Sequence, residues 1–109
     1  MINISFEDAA LHDLCVDLDR AEKVFGSISA SALVNFISDA NAFESVRELI
    51  DFIGGDIEIT VDDSLSIALG SDYRVYLVAV GTRFIRDAEG RIVWASVSRL
   101  KLLHISRSP

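Results

Sequence analysis

Five side chains in the C-terminal third of the chain have the types that are needed to bind and cleave a phosphodiester: Arg74, Tyr76, Arg99, Lys101 and His104. Guanidinium and ammonium groups bind phosphate oxygens, and an arginine can do so through paired hydrogen bonds. An aromatic ring offers a surface on which a nucleobase stacks. Imidazole changes its charge near neutral pH, so a histidine can serve as a general acid or base. We therefore treat these residues as the candidate site.

Charge divides the chain into an acidic part and a basic part. Residues 1–72 hold three Lys/Arg and fifteen Asp/Glu, a net charge of −12. Residues 73–109 hold seven Lys/Arg and two Asp/Glu, a net charge of +5. A polyanion such as RNA is repelled by the net charge of −7 but can be held at short range by the basic segment. The alternative is an acidic, solvated helical face with basic residues scattered over strand exteriors.

The candidate residues must be positioned by strands, because the hydrophobic period changes from 3.6 to 2 after Gly54-Gly55. The pattern predicts an α+β fold of two layers. An N-terminal strand is followed by an antiparallel helix pair and a short third helix, which pack on one face of a mainly antiparallel four- to five-stranded sheet. We expect Ser29 or Ser31 to cap the second helix and Ser45 the third. The predicted helix pair is 9–25 and 30–42, and the predicted strands are 2–6, 57–61, 65–69, 73–80 and 99–105.

Alternation along two of these strands groups the candidate side chains. Arg74, Tyr76, Val78 and Val80 share one face of their strand, and Arg99, Lys101, Leu103 and Ile105 share one face of the last strand. If both sets lie on the side of the sheet without helices, the three basic residues and Tyr76 converge there.

Several classes of function are disfavoured by what the sequence lacks. It has no glycine-rich phosphate loop, no nucleophilic triad and no metal-ligand spacing, so we expect no cofactor and no metal. Neither helix of the pair is basic, which argues against a DNA-binding regulator. Cys15 is the single cysteine and is expected to pack in the core.

Length and hydropathy indicate a single domain over residues 1–109 that is partly covered by a partner. Mean hydropathy is +0.36, which is high for a small monomer and favours a homodimer or a bound peptide. The first residues, Met1–Asp8, lack a basic and apolar leader, and the longest apolar run, Val75–Val80, is too short to span a bilayer. We expect a cytoplasmic protein with no membrane partner.

Three stretches together resemble a known family. They are Met1–Phe6 with Leu11, Leu14-Cys15 and Ala21 to Phe25-Gly26; Tyr73-Arg74-Val75; and Gly90–Trp94 with Val97 and the strand Leu100–Ile105. In order and spacing they resemble the RelE/ParE superfamily of toxin–antitoxin toxins, in particular its HigB-like killer-protein branch. The resemblance implies a β-α-α-β-β-β(-β) fold, tight binding by an antitoxin protein and, in active members, metal-independent cleavage of mRNA on the ribosome.

The resemblance also suggests roles for the candidate residues. Arg74 is similar to the superfamily's strand arginine, which would clamp the phosphate, and His104 is the best remaining proton carrier, so these two form the candidate catalytic set. Arg99, Lys101 and Tyr76 are the candidate substrate-binding residues. Each also has a structural alternative: an ion pair for Arg74, sheet packing for Tyr76 and a structural role for His104.

Two departures from the family's pattern weaken the case for catalysis. Similar toxins end in an Asp-Tyr-His tail, whereas this chain has Arg107-Ser108-Pro109. An acidic turn, Val61–Ser64, replaces a basic segment, and its carboxylates, Asp62 and Asp63, are expected to repel the phosphate backbone. We therefore expect a divergent toxin-like protein whose RNA cleavage is weak or lost. The alternatives are a non-catalytic protein-binding module on the same fold, binding an antitoxin or itself, and an active ribosome-dependent mRNA endoribonuclease.

Overall fold

The computed structural model describes residues 2–107 of the chain. A strand, then helices, then four strands follow one another as predicted, but there are four helices where three were expected. Their bounds are β1 Asn3–Phe6, α1 Ala9–Val16, α2 Leu18–Phe25, α3 Ser27–Asn41, α4 Val46–Ile53, β2 Ile57–Ile59, β3 Ser64–Leu69, β4 Tyr73–Ala79 and β5 Arg99–Arg107. Short 3₁₀ turns, Gly54–Asp56 and Trp94–Ser96, precede β2 and β5.

The strands form one sheet in the order β1-β5-β4-β3-β2. β1 runs parallel to β5, and every other neighbouring pair is antiparallel. Helices pack on the face from which Leu65, Val75 and Leu102 point into the core. The predicted α+β fold, with helices on a mainly antiparallel five-stranded sheet, is confirmed.

The first predicted helix is two helices, which corrects the expected span 9–25. The chain is extended at Asp17, with φ −120° and ψ 101°, between α1 and α2. The Asp17 carboxylate accepts a hydrogen bond from the backbone N–H of Arg20 at 3.2 Å and so caps α2. Aspartate favours such caps over helix interiors because its short side chain competes for backbone donors. The local cap thus interrupts an apolar period that is otherwise continuous.

The second predicted helix begins earlier than expected, and its predicted caps are wrong. α3 starts at Ser27 directly after Gly26, whose φ of 84° lets the chain turn from one helix into the next without a connecting loop. Ser29 is instead buried in the first turn of α3, where its hydroxyl donates to the carbonyl of Leu69 at 2.8 Å. This bond ties α3 to the end of β3.

The predicted cap of the last helix is confirmed. Ser45 Oγ accepts a hydrogen bond from the backbone N–H of Glu48 at 3.4 Å, and α4 ends at Gly54, where φ is 69°. The backbone N–H of Val46 donates to the carbonyl of Val97 at 2.9 Å. The start of α4 is therefore attached to the segment that precedes β5.

The core lies between the helices and the inner face of the sheet. Its fully buried side chains include Leu33 and Leu49 from the helices, and Trp94 and Val97 from the segment before β5 also contribute. Cys15 is 2% exposed and packs in this cluster, as predicted. Burial raises the pKa of its thiol to about 11, so the group stays protonated and unreactive near neutral pH.

Candidate functional site

The helix-free side of the sheet carries the candidate residues, and we call it the open face. Opposite residues of neighbouring strands point to the same side, so the strand register defines its members. They are Asn3 and Ser5 from β1, Glu58 from β2, Ser64, Ser66 and Ala68 from β3, Arg74, Tyr76 and Val78 from β4, and Arg99, Lys101, His104 and Ser106 from β5. Arg74, Tyr76, Arg99 and Lys101 therefore share one face, as predicted, but Arg74 and Arg99 lie toward its opposite ends rather than converging.

A β-bulge in β5 changes which side chains reach the open face. Tyr76 lies opposite His104, but Leu77 lies opposite Leu102, so Leu103 is an extra residue in β5. After the bulge, alternation is inverted, and Ile105 packs against the core instead of joining Arg99 and Lys101. The prediction for Ile105 was wrong because an inserted residue shifts every later side chain to the other face.

The bulge places His104 against Tyr76 at the centre of the open face. The two rings are stacked, with centroids 4.6 Å apart and planes inclined by 21°. His104 is exposed and Tyr76 is half-buried. The pair thus presents aromatic surface and an imidazole to solvent on the same side as Arg74.

Arg74 is held by its neighbours on β3 and β2. Its Nε donates to Ser66 Oγ at 2.6 Å, and its Nη2 donates to the Ser66 carbonyl at 3.0 Å. Nη2 also lies 4.0 Å from Glu58 Oε2, and the side chain is only 20% exposed. The guanidinium therefore lies along the sheet with its charge opposed by a carboxylate, so a phosphate must compete with Glu58 for it.

Lys101 is also paired, whereas Arg99 is not. Lys101 Nζ lies 2.9 Å from Glu7 Oε2, just after β1. Within residues 2–107, no carboxylate lies within 4.0 Å of the Arg99 guanidinium. The open face consequently has two compensated cations near the aromatic pair and one free cation at the start of β5.

The acidic turn before β3 differs from the expectation that both its carboxylates repel RNA. Asp63 is buried at φ 61°; its Oδ1 accepts from Arg91 Nε at 2.7 Å, and its Oδ2 accepts from the Ile92 backbone N–H at 3.2 Å. Arg86 Nη1 lies 3.7 Å from the same carboxylate. Two arginines thus compensate Asp63. Asp62 is exposed, and hydrogen bonds from the hydroxyls of Thr60 and Ser64 lower its pKa, so it remains a negative charge.

Two other sequence features lie away from the aromatic pair. Arg107 places its guanidinium 5.3 Å from the centre of the Tyr73 ring. Ser108 and Pro109, the rest of the tail that departs from the family's pattern, lie outside the described residues. His12, on α1, packs edge-on against Phe6 with ring centroids 5.2 Å apart. His104 is therefore the one histidine of the chain that belongs to the open face.

Comparisons of the chain with protein-family models, curated proteins and solved structures find no match. The RelE/ParE resemblance thus stays a prediction from the sequence. Across residues 2–107, no three His, Cys, Asp or Glu side chains gather as metal ligands do. None of the helices in that range has the length and apolarity needed to cross a membrane.

Proposed function

We propose that the chain is a divergent toxin-like protein of the RelE/ParE type whose open face binds single-stranded RNA and whose RNA cleavage is weak or lost. The observation that carries the proposal is the stacked Tyr76–His104 pair beside Arg74. The observed order is one strand, four helices and four strands, so it has two helices more than the β-α-α-β-β-β(-β) order that the resemblance implies. Ribosomes and mRNA are cytoplasmic, so we place the protein there.

The open face suits a single strand better than a duplex. Tyr76 and His104 offer aromatic surface for a base, and Arg74, Arg99 and Lys101 lie on the same face to meet the backbone. Unpaired bases are free to stack on protein side chains, whereas those of a duplex are already stacked on one another. Stacking typically contributes about 1–3 kcal/mol per base and tolerates any base, so we expect weak sequence preference.

Cleavage requires more than this face supplies. When the 2′-oxygen attacks the phosphorus and the 5′-oxygen leaves, a cation must stabilise the phosphate, a base must accept the 2′-OH proton and an acid must protonate the 5′-oxygen. Arg74 is occupied by Ser66 and Glu58, and Lys101 by Glu7. His104 can carry one proton at a time. These occupied cations, together with a single histidine, support binding with little catalysis.

A protein-binding module on the same fold is the second candidate. The observation in its favour is the exposure of large apolar side chains on the helical layer: Val16 (62%), Leu18 (40%), Val24 (53%) and Ile28 (77%). Such side chains are compatible with an antitoxin or a second copy of the chain covering this layer. This role leaves the open face without a ligand, so RNA binding separates the two candidates.

The test is the affinity of the protein for a fluorescent single-stranded RNA, measured by anisotropy at low salt. We expect Tyr76→Ala to weaken binding by roughly 5- to 150-fold, which is the equivalent of about 1–3 kcal/mol of stacking. Tyr76→Phe keeps the ring and should keep the affinity. Phe52→Ala is the matched control, because Phe52 is an exposed aromatic residue, 62% accessible, on α4.

The outcomes distinguish the candidates cleanly. Equal affinities for the wild type and a correctly folded Tyr76→Ala would contradict binding through the aromatic pair. If the wild type has no measurable affinity for RNA but self-associates or captures an antitoxin, the protein-binding module is favoured instead. Circular dichroism establishes that each variant is folded before its affinity is compared.

A further inference from the structure

A cavity of about 220 Å³ lies where β4 gives way to the segment before β5. Its lining includes Val80, Thr82, Arg83, Ser98 and Arg99. A neighbouring cavity of about 320 Å³ lies beside β1 and shares Val80 and Arg99 with it. Arg99 therefore lines both cavities and also belongs to the open face.

The cations of this cavity differ from most of the others near the sheet; within residues 2–107, Arg107 at the end of β5 likewise has no carboxylate within 4.0 Å, but its guanidinium lies over the Tyr73 ring. Arg74, Arg86, Arg91 and Lys101 each lie within 4.0 Å of a carboxylate, but within residues 2–107 neither Arg83 nor Arg99 does. No acidic residue lines either cavity. Two guanidinium groups without a carboxylate partner in the described part of the chain therefore line one cavity, which gives it a local positive charge.

Hydroxyl groups add uncharged donors to this cavity. Thr82 and Ser98 line it, and neither hydroxyl makes a hydrogen bond to another group between residues 2 and 107. At Gly81, where φ is 96°, the nearest atom to an added Cβ is Arg99 Cδ at 3.8 Å. The Arg99 side chain therefore packs beside this glycine, which also lines the cavity.

We propose that this cavity binds a backbone phosphate of the RNA strand whose bases contact Tyr76 and His104, an inference that rests on the proposed function. Arginine forks and hydroxyl donors are suited to phosphate oxygens. The first cavity is smaller than the roughly 300–1,000 Å³ of sites that enclose a whole small molecule, which favours one phosphate of a longer ligand.

The spacing along the sheet fits a short strand of RNA. Val80 follows Tyr76 by four residues, which corresponds to about 13 Å at the usual rise of a β-strand. A few nucleotides span that distance. The cavity would therefore fix the position and direction of the strand, while the aromatic pair holds a base.

The experiment follows backbone amide signals of the ¹⁵N-labelled full chain by NMR during titration with inorganic phosphate and with a short oligouridylate. We expect phosphate alone to shift Gly81, Thr82 and Arg83, and the oligonucleotide to shift these and also Tyr76 and His104. Arg83→Gln should lower the affinity for inorganic phosphate and for the oligonucleotide by about tenfold or more. It should also reduce the salt slope of RNA binding by about 0.7, the value for one phosphate on a single strand.

The matched control is Arg47→Gln, which removes another exposed arginine, on α4, where it pairs with Asp51. Oligonucleotides with and without a terminal phosphate distinguish an internal phosphate from a phosphate monoester at the end. If RNA shifts the amide signals of Tyr76 and His104 but leaves those of Gly81–Arg83 unchanged, this inference is overturned and the proposed function is left intact. If phosphate shifts the amide signals of Gly81–Arg83 but RNA does not affect the signal of Tyr76, the proposed function is overturned. The inference that the cavity binds a phosphate of RNA is then overturned as well.

Discussion

Asp63→Ala is expected to lower the free energy of unfolding by about 2–4 kcal/mol, a large fraction of the stability of a small domain. Asp63 is 8% exposed and accepts hydrogen bonds from Arg91 Nε and the buried Ile92 N–H. Alanine leaves that N–H unsatisfied, which alone costs about 1–3 kcal/mol. Alanine also adopts the φ of 61° at this position less readily than aspartate.

Chemical denaturation measures this effect against two companion variants. Asp63→Asn keeps a residue that tolerates positive φ and one carbonyl acceptor but loses the charge, so its stability should lie between those of the wild type and Asp63→Ala. Asp72→Ala removes an exposed aspartate and should change the unfolding free energy by less than about 0.5 kcal/mol. Asp63→Ala that unfolds at the wild-type denaturant concentration would show that the contacts of this carboxylate contribute no net stability.

The same carboxylate has a consequence for the proposed RNA surface. The segment 80–98 contains Arg83 and joins β4 to β5, and its contacts with Asp63 through Arg91 and Ile92 attach it to the turn before β3. The carboxylate that the sequence presents as an obstacle to RNA thus anchors the segment that carries a free cation. Its burial explains why a turn of acidic composition is compatible with a binding surface.

The double variant Glu7→Gln/Glu58→Gln is expected to bind RNA about tenfold more tightly than the wild type. Each substitution removes a carboxylate that competes with phosphate for a cation. Glu7 Oε2 lies 2.9 Å from Lys101 Nζ, and Glu58 Oε2 lies 4.0 Å from Arg74 Nη2. If both cations then contact phosphates, the salt slope of binding should steepen by about 1.4, which is 0.7 for each phosphate on a single strand.

Net charge alone must be separated from these local contacts. Glu22→Gln/Glu44→Gln is the matched control, because it also removes two of the seventeen acidic residues, but from exposed positions on the helical side of the chain. We expect it to raise the affinity only slightly at low salt and to leave the slope nearly unchanged. Equal gains for the two double variants would mean that Glu7 and Glu58 do not shield Lys101 and Arg74.

Most of the fold could be predicted from the sequence because hydrophobic periodicity and capping residues mark most of its helices and strands. The change of period at Gly54-Gly55 divides helices from strands, and the Ser45 cap begins α4 where the capping-box spacing indicates. The break at Asp17 was missed because the apolar period continues across it. Its signal was present in the residue type, since aspartate favours the cap of a new helix.

The site was predicted in part, and what was missed depends on contacts distant in sequence. Alternation placed Arg74, Tyr76 and Lys101 on one face, but the stack on His104 depends on the bulge at Leu103. The adjacent pair Leu102-Leu103 interrupts the alternation and was the available signal. The partners Glu7 and Glu58 lie on other strands or beside them, so no local spacing reveals these ion pairs.

Binding and cleavage can be scored in one sample by photocrosslinking the full chain to an mRNA that carries photoreactive uridines, with and without ribosomes. We expect the crosslinked peptide to contain Tyr76 or His104 and the RNA to remain at full length. Crosslinks confined to the helices α1–α4, or none at all, would contradict RNA binding by the open face. Discrete cuts that appear with the wild type and disappear with Arg74→Ala would instead show an active endoribonuclease that depends on Arg74.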